Sequence, residues 1–344
     1  MQSGRKRIIC CTPFFSEEWN WFADEMSPEG LIDWQFFNDR RTGFLETSFR
    51  QLNLATLRAG WQAVKAAQQQ QADLLITHDP RISFWCAFFA RLLRLKTPHI
   101  AYSFNFPELP EGKKKQLMQW AFASVSQFIV YSKVEKQIYS DYFAIPAERF
   151  QVTLWGVTPP VVEPNGPLEA GDYICAIGGN ARDYPTLIRA MESLPEIPLV
   201  IVVRPENLAE MKLPANVKPL VNLPFGQAMN ILKHSRFMVI PLKGSKVPCG
   251  HVTLVAAMHL GKSFIITNSD GVSDYVIPEV NGITCQPFDS EALASAIRRL
   301  WQDPPKCQEM GKNGQHFADQ NCSETAARQA LAAILRSRHI LSEP

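Results

Sequence analysis

Residues 250–253 and 177–184 carry the groups in this chain best suited to holding a diphosphate. Gly250-His251-Val252-Thr253 reads as a glycine-led helix start, where free N–H groups and the positive end of the helix dipole suit an anion. Ile177-Gly178-Gly179-Asn180-Ala181-Arg182 follows an apolar run and precedes a helical one. Glycines at such a bend let backbone approach a ligand, and Arg182 adds a cation at the same sheet edge. Lys243 and Lys246 lie in the loop before Gly250, where they fit phosphate contacts or solvated positions. His251 suits helix capping as well as it suits ligand contact, and Arg182 and His251 are the candidate catalytic pair. The glycines do not form G-x-G-x-x-G, which argues against a nicotinamide dinucleotide site.

The elements needed to position these groups follow in order. The helix from Gly250 runs through Ala256-Ala257-Met258 to Gly261-Lys262, then come an apolar strand at 263–267 and turns at Asp270-Gly271 and Asn281-Gly282. This run resembles the nucleotide-sugar-binding half of GT-B glycosyltransferases, particularly the family 4 retaining enzymes, whose equivalent helix reads E-A-M-A-x-G-K-P. The resemblance implies that the helix start faces the donor's phosphates. In the family's G-R-x-x-x-x-K-G segment, Arg182 takes the Lys position and Gly179 the Arg position. The family's E-x7-E pair is missing, with Pro248 and Ala256 in its place. Asp274 falls at the carboxylate position of the G-G-x-x-E-x-V turn. Asn281-Gly282-Ile283 matches the N-G-hydrophobic turn, which is turn chemistry rather than catalysis.

The first half offers acceptor-side candidates. Thr77-His78-Asp79-Pro80 ends a strand and opens a helix, so Asp79 fits a cap and a ligand contact equally well. Ser103-Phe104-Asn105-Phe106 stands where the family often has a histidine, which leaves Asn105 as the polar group there. Trp19, Trp21, Phe22 and Trp34 suit core packing better than a sugar platform. Lys113-Lys114-Lys115 heads a helix containing Trp120, a solvated end that could also meet anionic lipid weakly.

Length and composition bound the remainder. The 344 residues suit two domains, and a net charge of +2, evenly spread, argues against nucleic acid as a partner. Eight cysteines without a C-x-x-C pair suit a reduced, cytoplasmic protein. Arg5-Lys6-Arg7 before Ile8-Ile9-Cys10-Cys11 reads as a first strand rather than a leader, and no apolar stretch approaches membrane-spanning length. Strands are expected near 7–12, 34–37, 73–77, 99–103, 128–131 and 151–154, then 172–177, 199–203, 217–220, 237–240 and 263–267. Helices are expected near 49–71, 82–93, 113–123, 134–143, 186–191, from 289, and at 307–318 and 324–338.

Alternating strands and helices imply an α/β protein with parallel sheets. With the resemblance, the expectation is GT-B: an acceptor-side Rossmann-like domain over 1–157 and a linker over 158–170. A nucleotide-sugar domain then spans 171–322, with a terminal helix at 323–344 returning to the first domain and the two sheets facing a central cleft. The implied function is metal-independent, retaining transfer of a sugar from a nucleotide-sugar donor to a glycan, lipid-linked or small-molecule acceptor. No cofactor is expected beyond the donor, which is a substrate. The location is cytoplasmic, with weak peripheral contact at the inner membrane face. A degenerate nucleotide-sugar-binding module and a nucleotide-sugar epimerase are the alternatives.

Overall fold

The computed structural model describes residues 5–13, 32–41, 53–106, 108–209, 211–244 and 249–341. The chain divides into two compact units, Met1–Thr153 with Arg328–Pro344, and Leu154–Ala327. Trp19, Trp21, Phe22, Lys246 and Pro248 fall outside the described residues.

The first unit is built on six parallel strands: β1 (Lys6–Thr12), β2 (Ile32–Asn38), β3 (Leu74–His78), β4 (His99–Tyr102), β5 (Gln127–Val130) and β6 (Phe150–Val152), in the order β2-β1-β3-β4-β5-β6. Ile8, Ile9, Cys10, Cys11, Leu74, Leu75 and Ile76 are fully buried, as apolar strands covered on both faces require. Side chains alternate between faces, so Ile9 and Cys11 meet one apolar cluster while Ile8 and Cys10 meet another. Numbered among the described residues, the helices are α1 (Leu54–Gln69), α2 (Pro80–Leu92), α3 (Gly112–Phe122) and α4 (Lys133–Phe143). From β2 each crossover steps the same way along the sheet, and right-handed crossovers then place these four helices on one face. The opposite face receives Leu331, Ile334 and Leu335 of the terminal helix, α10 (Glu324–Ser337), packed with Ile8, Cys10, Leu74 and Ile76. Burying such a side chain contributes about 1.5–3 kcal/mol, enough for three of them to hold a helix end in place.

The second unit repeats the plan with β7 (Ile174–Ile177), β8 (Leu199–Val203), β9 (Val217–Val221), β10 (Met238–Ile240), β11 (Phe264–Thr267) and β12 (Ile283–Cys285), all parallel and ordered β12-β11-β10-β7-β8-β9. Its helices are α5 (Tyr184–Glu192), α6 (Phe225–His234), α7 (His251–His259), α8 (Ser290–Gln302) and α9 (Pro304–Asn321). The chain reverses direction across the sheet between β7 and β10, and α/β proteins place ligands at the carboxyl edge of such a switch. The expected α/β fold of two parallel sheets holds.

Several expected boundaries move, for one physical reason. Helices α2, α5 and α9 start at prolines or next to them, because a first-turn proline loses no intrahelical hydrogen bond. Asp79, Asp183 and Asp303 cap them. The segment read as a linker, 158–170, belongs to the second unit. Asn230, fully buried on α6, donates to the carbonyls of Pro164 (2.6 Å) and Gly166 (2.8 Å) and accepts from the Leu168 N–H (3.0 Å).

Asn281 is also fully buried, accepting from the Ile277 N–H at 2.9 Å and donating to the Tyr275 carbonyl at 3.0 Å. Its neighbour Gly282 passes so close to Phe264 that a Cβ would lie 2.2 Å from the ring. The Asn-Gly turn is therefore a packing requirement of β11 and β12. Gly282→Ala is expected to destabilise the protein by roughly 1–3 kcal/mol or more, read as a lower urea midpoint at unchanged slope.

Candidate functional site: an anion seat at Arg182

Strand β7 ends at Ile177, and Gly178 turns the chain at φ 121°, a conformation open to glycine. Three residues later, at Ala181, the chain joins the loop after β10. Lys243 donates its N–H to the Ala181 carbonyl (3.0 Å), Asp183 to the Pro241 carbonyl (2.9 Å), and Arg182 forms a single antiparallel bridge with Leu242. Asp183 then caps α5 by accepting from the Thr186 N–H. The bend thus has one register, and it buries the Arg182 side chain to 7% exposure.

The guanidinium packs on the bare Cα of Gly178, where a Cβ would stand 2.8 Å from Nη2. It also reaches the start of α7: a Cβ on Gly250 would lie 3.7 Å from Nη1, and Nη2 donates to Thr253 Oγ1 at 2.8 Å. Its remaining bonds go to the carbonyls of Asn180 (3.0 Å) and Ile177 (3.4 Å), while Nε has no partner among the described residues. Among the described residues no carboxylate meets this cation. Burial lowers its pKa, yet an arginine stays charged, so the site holds a desolvated positive charge with only neutral acceptors.

The helix beside it is equally unsatisfied. Gly250 enters α7 at φ 94° and, as a glycine at the N-cap, brings no side chain to cap the first turn. Thr253 bonds back to the Gly250 carbonyl at 3.1 Å while accepting from Arg182. Buried cation and positive helix end converge, which is the electrostatics of a phosphate seat.

Two family models match the chain: Glycosyltransferase Family 4 over residues 25–159 and Glycosyl transferases group 1 over residues 179–317. Together they take in most of it. This chain belongs to the GT-B glycosyltransferases. Solved structures agree on the fold. Sucrose-phosphate synthase from Thermosynechococcus elongatus superposes with a TM-score of 0.71 at 16% identity, over 97% of this chain and 99% of its own. A glycosyltransferase from Rickettsia africae gives 0.68 at 13%, over 98% and 100%. Anabaena HepE in complex with UDP-glucose gives 0.69 at 16%, over 96% and 99%. No curated protein matches the sequence.

The other candidate residues of this glycosyltransferase are placed as follows. His251 is buried, its Nε2 2.8 Å from the Gly271 carbonyl and its ring 4.7 Å from Tyr275. Burial lowers its pKa, so the neutral ring ties the helix start to the 269–276 loop. Gly179 is clamped by Asn207, which donates to its carbonyl at 2.8 Å. Asn180 is exposed, with its carbonyl turned to Arg182. Val252 and Lys243 are exposed.

Arg204 was not singled out from the sequence. It follows β8, the strand beside β7, and its Nε would lie 3.4 Å from a Cβ at Gly179. A second cation therefore stands over the residue that occupies the family's arginine position. The signal was a basic residue directly after an apolar strand adjoining the switch.

In the first unit, Asp79 is engaged as the α2 cap, accepting from the Arg81 N–H at 2.7 Å and pairing with its guanidinium at 3.1 Å. His78 stacks 6.1 Å from Tyr102, and burial lowers its pKa to about 3. Asn105 donates to Glu135, a fully buried carboxyl that also accepts from the Tyr131 N–H (2.8 Å) and Ser132 Oγ (3.3 Å). Ser132 in turn caps α4 through the Glu135 N–H, so Glu135 sits in a capping box turned inward.

Burial raises the Glu135 pKa from 4.5 to about 7, with its hydrogen bonds opposing. A carboxyl raised on folding costs stability where the unfolded chain would ionise it, so this cost grows from about pH 4.5 to about pH 7. The full effect is at most roughly 3 kcal/mol. Glu135→Gln is expected to flatten that part of the pH–stability curve, checked by urea unfolding at successive pH values.

Proposed function

We propose that this glycosyltransferase moves a sugar from a nucleotide-sugar donor to a glycan, lipid-linked or small-molecule acceptor, without a bound metal and with retention of the anomeric configuration. One observation carries the donor assignment: Arg182 is a buried cation with no acidic partner among the described residues, set against a helix start whose N-cap residue is a glycine. An uncompensated charge of this kind is costly unless a ligand supplies its counter-ion. A nucleoside diphosphate fits, since its negative charge grows as the bond to the sugar breaks. Groups fixed before the reaction stabilise that charge without reorganising.

In this reading Arg182 contacts the diphosphate, and Val252 and Thr253 offer backbone N–H groups. Arg204 and Lys243 contribute positive charge from either side, and Gly178 and Gly179 let the chain approach the ligand. His251 acts as a positioning residue through Gly271. The HepE complexes with UDP and UDP-glucose make a uridine nucleotide the first ligand to try. Asn105, held by Glu135, and His78 are the acceptor-side groups proposed in the first unit.

A binding module without turnover is the second reading, favoured by Ala256. The side chain at this position of the missing pair is buried in the apolar core of the second unit.

UDP, GDP, ADP and CMP tested by thermal shift should single out one nucleotide that raises the melting temperature. With the matching nucleotide sugar, transfer or slow donor hydrolysis should survive EDTA, and NMR coupling constants should show the donor's configuration in the product. Activity lost to EDTA and restored by magnesium would contradict the metal-free reading. Binding without any product would favour the module.

A further inference from the structure

Helix α2 is apolar on two faces. Ile82, Cys86, Ala87 and Ala90 point into the sheet and are buried. Trp85, Phe88, Phe89 and Leu92, at the i, i+3, i+4 and i+7 positions of the opposite stripe, are half-buried or exposed, Leu92 at 60%. The flanking helices extend this stripe. Trp61 of α1 meets Phe89 edge-on at 5.1 Å, and Trp120 of α3 meets Phe88 at 5.7 Å. Gly60 permits the close approach, since a Cβ there would stand 2.9 Å from that of Trp85. Trp61, Trp120 and Leu117 are each about two-fifths exposed. The result is a continuous aromatic surface across three helices.

Its charge is one-sided. The 16, 13 and 11 residues of α1, α2 and α3 include no Asp or Glu. They include Arg58, Lys65, Arg91 and Lys113-Lys114-Lys115, with Arg81 already paired to Asp79. The Lys65 ammonium lies 5.4 Å over Trp61, and the Arg91 guanidinium 4.7 Å over Trp120. Exposed Glu108 and Glu111 precede the lysine run and offset part of it. Tryptophans bordered by long cationic side chains, around leucines that face outward, match the chemistry of a bilayer interface with anionic headgroups. Among the described residues no helix is long and apolar enough to cross a membrane, so such contact would be peripheral.

The geometry points to the outer face of α1, α2 and α3 as a docking surface for an anionic lipid bilayer, with Trp61 and Trp120 seated among the headgroups and the lysines of α3 held above them. This does not rest on the sugar-transfer reading. Full-length protein should co-float with vesicles containing roughly one third phosphatidylglycerol and only weakly with pure phosphatidylcholine, and added salt should release it. Replacing the three lysines, K113Q/K114Q/K115Q, should lower partition by up to about a hundredfold at low salt, at roughly fivefold per charge. W61A/W120A should lower partition on both vesicle types. Quenching by bromine-labelled lipid should affect wild-type tryptophan fluorescence and lose most of its effect in that variant. Trp61, Trp120, Lys113 and Lys114 are exposed and Lys115 rests half-buried over the Tyr142 ring at 3.9 Å, and circular dichroism and the nucleotide thermal shift should stay as in the wild type.

Equal partition onto neutral and anionic vesicles would overturn the proposal, as would wild-type tryptophans that bound vesicles leave unquenched. Two further results would assign the face elsewhere: a single-stranded oligonucleotide that displaces vesicles at lower concentration, or a dimer in solution that W61A/W120A dissolves.

Discussion

The second unit turns on one buried guanidinium. Arg182 is reached by three independent pieces of chain: the bend after β7, the loop after β10 and the first turn of α7. Its hydrogen-bonding and packing neighbours Ile177, Gly178, Asn180, Gly250 and Thr253 are neutral, so the described residues provide geometry but no counter-charge. The two glycines it touches, Gly178 and Gly250, both adopt positive φ, and side chains there would collide with Arg182 or Leu242. Backbone conformation, burial and charge are therefore coupled at one point. The point lies at the carboxyl edge of the sheet, where β7 and β10 diverge.

Much of this was legible in the sequence because it depends on short-range rules. Glycine before a helical run marks an open helix start, and glycine after an apolar strand marks a bend. Both features lie where residues 178–182 and 250–253 suggested. The alternation of apolar strands with helices sufficed for two parallel sheets, since buried strands such as β8 are uniformly apolar. Proline was the recurrent difficulty. Pro185 and Pro304 look like breaks, but each follows an aspartate cap and lies in the first turn of a helix, as the Asp79-Pro80 pair does.

Pairings between distant residues were not legible. Nothing local in Asn230 announces that it will hold Pro164, Gly166 and Leu168, which makes the proline-rich 158–170 segment part of a folded unit. Arg204 is a lone basic residue after β8 until the sheet order places β8 beside β7. Asp79 and His251 looked equally fit for structure or ligand contact. Their partners, Arg81 and Gly271, occupy groups that the sequence left open. The outer aromatic stripe of α2 was hidden by its inner one, because a helix apolar on both faces has no clear periodicity.

The account stands or falls on whether Arg182 contacts phosphate. Isothermal titration of the stabilising nucleoside diphosphate and its parent nucleoside, into wild type and Arg182→Ala, tests this directly. A charge-assisted contact to phosphate contributes roughly 1.5–3 kcal/mol, so the diphosphate should lose about one to two decades of affinity while the nucleoside loses little. Equal losses for both ligands, in a variant that is still folded, would make Arg182 a structural residue and contradict the account.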